Sequence, residues 1–136
     1  MSFIGGCYCG KVRYAAQGAP FLKAQCHCRA CQHISGGAPH LFMLMPTAGF
    51  SWTQGAPASF TRPDLKDAVT REFCADCGTP LVTRRPGLEA VIVRVGTLDD
   101  PAQFGGPRMA IFTAQKQPFH VIPDDLPAFA ETPPGG

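Results

Sequence analysis

Arg71-Glu72-Phe73-Cys74-Ala75-Asp76-Cys77-Gly78-Thr79-Pro80-Leu81 is the stretch whose reading decides the fold. Residues 68–73 alternate in polarity and residues 79–83 read as a second strand, with C-x-x-C-G between them. Strand, thiol-bearing turn and strand together make a zinc knuckle. The thiols sit on a tight turn, backbone N–H groups point at the sulfurs, and the glycine takes the left-handed position.

A knuckle supplies two sulfurs, and a tetrahedral structural zinc takes four. The other pair stands at the N-terminal end, in Gly6-Cys7-Tyr8-Cys9-Gly10, again followed by glycine. Cys9 and Cys74 are 65 positions apart. By analogy with a covalent crosslink, an ion shared across that distance restricts the unfolded chain by roughly 4 kcal/mol. That is a large part of the stability of a small domain.

Cys26-His27-Cys28-Arg29-Ala30-Cys31 holds the remaining three of the seven cysteines, as C-x-C overlapping C-x-x-C. Residues two apart in a strand share a face, so Cys26 and Cys28 reach one centre, and a tight turn after Cys28 brings Cys31 to it. Three sulfurs on a tetrahedral ion leave one position open, which distinguishes a working zinc from a structural one. His27 alternates to the other face, whereas His33 is near enough in sequence to close the site. A redox pair at Cys28 and Cys31 lacks the surrounding βαβ pattern. Three thiolates outweigh the charge of zinc and make it a poor activator of water, but a good partner for a fourth thiolate. The residues therefore point to a small thiol as substrate. Arg29, Arg71 and Lys116 are the cations expected to meet its carboxylates. Ser35, Gly36 and Gly37 form a loop whose backbone N–H groups could face it. His33 and His40 are the candidate general bases, by position alone.

The whole chain bounds these readings. Its 136 residues, 45% of them hydrophobic, make one domain, expected over 1–126, with a loosely ordered tail over 127–136. Fifteen glycines and 14 prolines spread along the chain suit short strands and turns, with no helix longer than about two turns. Strands are expected at 11–16, 21–25, 40–45, 50–52, 59–62, 68–73, 79–83, 89–95 and 109–113, and loop from Gln32 to Pro39. In residues 89–95, Ala90, Ile92 and Arg94 face one way and Val91, Val93 and Val95 the other. A formal charge of +2 with scattered basic residues argues against a nucleic-acid partner. No apolar run approaches a membrane span, and no export signal opens the chain, so a cytoplasmic location is the expectation. Paired disulfides are then a poor account of an odd number of cysteines. The sequence is compatible with a homo-oligomer.

The ordered cysteine set, with Lys11-Val12-Arg13-Tyr14 after the first pair and Val95-Gly96-Thr97-Leu98-Asp99-Asp100-Pro101 after the knuckle, resembles the glutathione-dependent formaldehyde-activating enzyme family. That family is also called the CENP-V/GFA domain family, and the likeness runs from about Ser2 to Leu126. The resemblance implies a mostly β, Mss4-like fold of short antiparallel strands around zinc-binding turns. It implies a structural zinc on Cys7, Cys9, Cys74 and Cys77, and a catalytic zinc on Cys26, Cys28 and Cys31, two ions per chain. It further implies carbon–sulfur lyase chemistry on a glutathione adduct, S-hydroxymethylglutathione. A non-catalytic thiol carrier and a zinc-stabilised protein-interaction module are the alternatives. Two positions depart from the family pattern. Arg108-Met109 stand where many relatives have a His, and Phe119 where they have a Trp.

Overall fold

Alternation in one strand, β9 (Ala90–Arg94), divides the molecule into two faces. Val91 and Val93 are fully buried, while Ile92 and Arg94 on the other side are half-buried. Pairing carries this division across the sheet. On β4 (His40–Pro46), Met43 and Met45 stand opposite Val93 and Val91; Phe42 and Leu44 stand opposite Arg94 and Ile92. On β8 (Pro80–Arg84), Val82 joins the valine face and Thr83 the other.

The computed structural model describes residues 1–134. The remaining strands are β1 (Ser2–Gly6), β2 (Arg13–Gln17), β3 (Leu22–Cys26), β5 (Phe50–Gln54), β6 (Ala58–Thr61), β7 (Thr70–Phe73) and β10 (Met109–Ile111). Seven form one sheet in the order β10-β3-β4-β9-β8-β7-β6, antiparallel except for the β10–β3 pair. The other three make a small antiparallel sheet, β1-β2-β5.

The valine face packs against the small sheet. Phe3, Tyr14 and Ala16 meet Met43, Met45, Leu81, Val82, Val91 and Val93 in the main core. At about 1.5–3 kcal/mol for each large apolar side chain buried, this layer is the chief source of stability. Tyr14 also carries a buried polar contact across it, its hydroxyl lying 2.7 Å from Thr97 Oγ1. Gly5 is needed at that crossing: a Cβ there would overlap the Thr97 carbonyl oxygen and the Tyr14 hydroxyl.

The other face carries a second apolar cluster of Ala24, Cys26, Phe42 and Ile111. The segment expected to be a loose tail runs beside it. Ala110 N–H donates to Pro127 O and Phe129 N–H to Ala110 O, and Phe129 packs against this cluster. Residues 135–136 of that tail lie outside the described residues.

One helix, α1 (Arg29–Ser35), departs from the expected loop at 32–39. Cys28 caps it, accepting the Cys31 N–H on its sulfur, and Gly36 ends it in the left-handed conformation. Mostly β, built of short strands around cysteine-bearing turns, the architecture fits the Mss4-like fold that the resemblance implied.

Candidate metal centres and the cleft beside them

Two matching turns make the first centre. After Cys7, the Gly10 N–H returns to Cys7 O at 3.1 Å; after Cys74, the Gly78 N–H returns to Cys74 O at 2.8 Å. Both glycines have φ near +80°, which side-chain-bearing residues adopt at a cost. The Val12 N–H donates to Cys7 Sγ and the Cys77 N–H to Cys74 Sγ, as a knuckle requires. The four sulfurs of Cys7, Cys9, Cys74 and Cys77 lie within 4.8 Å of one another, with Cys7–Cys9 at 3.6 Å and Cys9–Cys74 at 3.8 Å. Zinc–sulfur bonds of about 2.3 Å arranged tetrahedrally put sulfurs about 3.8 Å apart, so the set fits zinc. A bond with the Thr79 hydroxyl, at 3.1 Å, holds the Cys77 thiol down to about 5.

The second centre sits where β3 becomes α1. Cys26 closes the strand, Cys28 caps the helix and Cys31 lies in its first turn, their sulfurs again mutually within 4.8 Å. Their acidities describe the electrostatics. Hydrogen bonds from the Cys26 and Cys31 thiols hold Cys28 down to about 2, while the hydrogen bond to Cys28 pushes Cys26 up to about 11, and those to Cys26 and Cys28, with burial, push Cys31 up further still. One thiolate is welcome, and the next two are opposed by the first. A cation that brings all three to the charged form answers this donor set, which therefore fits a thiophilic divalent ion.

The histidines divide unexpectedly. His27 turns away from the sulfurs, as alternation predicts, into a buried network. His120 Nε2–H donates to Gly37 O at 2.7 Å, which leaves His120 Nδ1 to accept from His27 Nδ1–H at 3.0 Å. His27 Nε2 then accepts from the Gln25 amide at 2.9 Å, and the Gln32 amide donates to His27 O. His33 is exposed on α1. His40 instead comes to the cluster, because β3–β4 pairing sets it opposite Cys26. Its Nδ1 is 3.7 Å from Cys31 Sγ. Yet His40 does not join the set of donors mutually within 4.8 Å, which is longer than any tetrahedral edge, so it does not complete the coordination. Burial, then the charges of Arg94 and Arg71, push its imidazole down to about 3.

Two cavities have walls drawn both from the neighbourhood of α1 and from the knuckle residues Gly78, Thr79 and Pro80, and no cysteine lines either. One of about 450 Å³ is lined by Ile34, Phe60, Arg71, Phe73, Val82 and Thr83. The other, of about 320 Å³, is lined by Ser35, His40, Thr79, Arg94, Gly96 and Thr97; Pro80 borders both. Of the expected substrate contacts, Arg71 and Ser35 thus line the cleft. Arg71 also favours the Cys28 thiolate. Gly36 and Gly37 do not meet the expectation, because both N–H groups turn back to the Gln32 carbonyl and close the helix. Arg29 is exposed, its guanidinium on Gln32 and its N–H on Gln115. Lys116 is exposed too and adds its charge on the His27 side. Arg94 is the cleft residue without a motif. Only its place on the Ile92 face of β9 could have signalled it.

Comparison with known proteins agrees with this geometry. The family model described as glutathione-dependent formaldehyde-activating enzyme matches residues 2–115. A crystal structure of a Rhodobacter sphaeroides protein shares the fold, with a TM-score of 0.60 and 18% sequence identity, covering 76% of this chain and 96% of that one. No helix among the described residues is long and apolar enough to cross a membrane.

Proposed function

Since the chain belongs to the glutathione-dependent formaldehyde-activating enzyme family, we propose that it is a zinc-dependent carbon–sulfur lyase acting on a glutathione-type thiol adduct. The observation that carries this reading is the difference between the two cysteine sets: four sulfurs that complete a tetrahedron, and three that leave one position open. Zinc on Cys26, Cys28 and Cys31 would supply a soft Lewis acid that holds the substrate sulfur as thiolate.

In the lyase direction the C–S bond of a hydroxymethyl thioether breaks. Its electron pair stays on sulfur, the hydroxyl proton departs, and formaldehyde leaves. Arg71 carries its charge near Cys28 and Arg94 near Cys31, and both would favour a substrate thiolate held beside those sulfurs. Ile34, Phe60, Phe73 and Val82 give one cavity an apolar wall. His40 stays neutral and orients towards Cys31.

One observation favours the carrier alternative. The imidazole nearest the sulfurs is buried beside Arg94 and Arg71, which weakens it as a base for the hydroxyl proton. Cobalt substitution at the three-cysteine centre tests the reading, because its visible spectrum reports sulfur ligands. Glutathione should alter that spectrum as a fourth sulfur binds, and S-methylglutathione should alter it little. Steady-state release of formaldehyde from S-hydroxymethylglutathione then separates enzyme from carrier. A cobalt spectrum indifferent to every thiol would overturn both.

A further inference from the structure

Helix α1 is held by little apolar packing. Its seven residues are too few to be stable alone, and its single buried side chain is a glutamine, Gln32. Yet α1 carries Cys31, so whatever fixes the helix fixes the third sulfur relative to the other two.

Gln32 supplies much of that fixing. Its Nε2 donates to His27 O at 2.8 Å and to Gln115 O at 2.9 Å; both partners are carbonyls, which settles the orientation of the amide. Its Oε1 accepts from Arg29 Nη1 and, at 3.1 Å, from Gln117 Nε2. All four bonding positions of a buried amide are thereby filled. Among the described residues, the buried side-chain atoms that lack a partner are elsewhere, Nε2 of His40 and Nη1 of Arg94. The bonds of Gln32 join three stretches: the residue between Cys26 and Cys28, the first turn of α1, and the segment around Gln115 and Gln117.

His120 fastens the far end. The Gln117 N–H, which can only donate, lies 3.2 Å from His120 Nδ1, so that nitrogen accepts and Nε2 carries the proton. Nε2 donates to Gly37 O just past the helix, and Nδ1 accepts from His27 as well. Gln115 Oε1 takes the Arg29 N–H at the helix start. Residues 115–120 thus form a strap bonded to both ends of α1 and to His27.

A four-sulfur set is tied on every side by its own ion. A three-sulfur set with one position open lacks the fourth tie, and its geometry then depends on what holds the ligands from behind. We propose that Gln32 and His120 are positioning residues: with the strap they fix α1 against His27 and so keep Cys31 at coordinating distance from Cys26 and Cys28. The proposal deepens the thiol-adduct reading and rests on it for the ion that these sulfurs hold.

The test uses the zinc-loaded full chain and Gln32→Met, which keeps the side-chain length and removes all four bonds. Transfer of each ion to a chromogenic chelator is one readout, and amide hydrogen exchange is the other. The faster ion should dissociate about tenfold more quickly or more, and the slower ion at a rate unchanged within about twofold. Exchange should quicken at Gln32 and Gly37, whose N–H groups bond within α1 and its cap, but not at Val91 and Val93 in the core. His120→Phe, which keeps a ring and loses its bonds, should act in the same direction. His120→Gln, whose amide can still donate to Gly37 O, should recover part of the loss; if Gln32→Met does not fold, the two His120 variants carry the test. Equal acceleration of both ions, or of exchange at Val91 and Val93, overturns the positioning role, because it marks a general loss of stability. So does a faster ion whose dissociation is unchanged within about twofold. Wild-type protein that binds a single ion defeats the zinc reading of the three-cysteine set, and exchange at Gln32 and Gly37 then decides by itself whether the strap fixes the helix.

Discussion

Cys74→Ser should destabilise the protein far more than Cys28→Ser, and the size of the gap follows from chain connectivity. Cys74 is buried and its sulfur stands 3.8 Å from Cys9 Sγ, so an ion there joins turns 65 positions apart. Treated as a crosslink, that closure is worth roughly 4 kcal/mol, whereas closing the short loop of Cys26 to Cys31 is worth about 2 kcal/mol. Against a total of about 5–15 kcal/mol, the first loss removes a large share. It corresponds to a fall in melting temperature of roughly 10–20 °C. Urea denaturation followed by circular dichroism, with zinc present and metal content measured on the same samples, reads both quantities. Two variants of equal stability, each retaining a single zinc, would refute the assignment of the long-range centre as the structural one.

The two centres should also part in lability. A mild chelator is expected to strip the three-cysteine ion first with the β-sheet signal unchanged, and simultaneous loss of both ions would contradict this. Gly5→Ala should cost about 1–3 kcal/mol, since the new methyl meets the Thr97 carbonyl and the Tyr14 hydroxyl; unchanged denaturation midpoints would show that β1 shifts freely. A pH effect is expected from His40, which is pushed down to about 3 by burial first. The unfolded chain takes up this proton near pH 6.5, so the contribution is full above that pH and is lost as pH falls towards 3. The slope approaches about 1.4 kcal/mol per pH unit. His40→Gln should flatten the stability profile below pH 6.5 relative to wild type, and an identical slope would remove His40 from the account.

Much of this was legible in the chain itself, for reasons that are local. The knuckle at Cys74-Ala75-Asp76-Cys77-Gly78 declares its turn, its ligands and its flanking strands within a few residues. The two faces of β9 follow from alternation alone, and alternation also turns His27 away from the sulfurs. What stayed hidden depends on pairing between distant segments or on unusual local chemistry. Helix α1 was hidden because its cap is a cysteine sulfur, outside the usual capping residues, and because Gln32-His33-Ile34-Ser35-Gly36-Gly37 has a loop's composition. His40 could not be placed beside Cys31 without the β3–β4 register, nor Gly37 beside His120 across 83 positions. Arg94 was assigned its face of β9 without any sign that its neighbours there would leave it unpaired.

The parallel pairing of β10 with β3 has a consequence for the order in which a growing chain acquires its parts. Cys26, Cys28 and Cys31 leave the ribosome as one compact set, with a short loop to close and no distant partner to await. Their cover comes from the other end: Ile111 beside Cys26, Phe129 against the same cluster, and His120 against His27. Contacts of such wide sequence separation form slowly. During synthesis these three thiols therefore stand bare for most of the chain's length, free to meet a metal ion or an oxidant. The long-range centre waits as well, since Cys7 and Cys9 find their partner thiols only when the knuckle, 65 positions after Cys9, has been made.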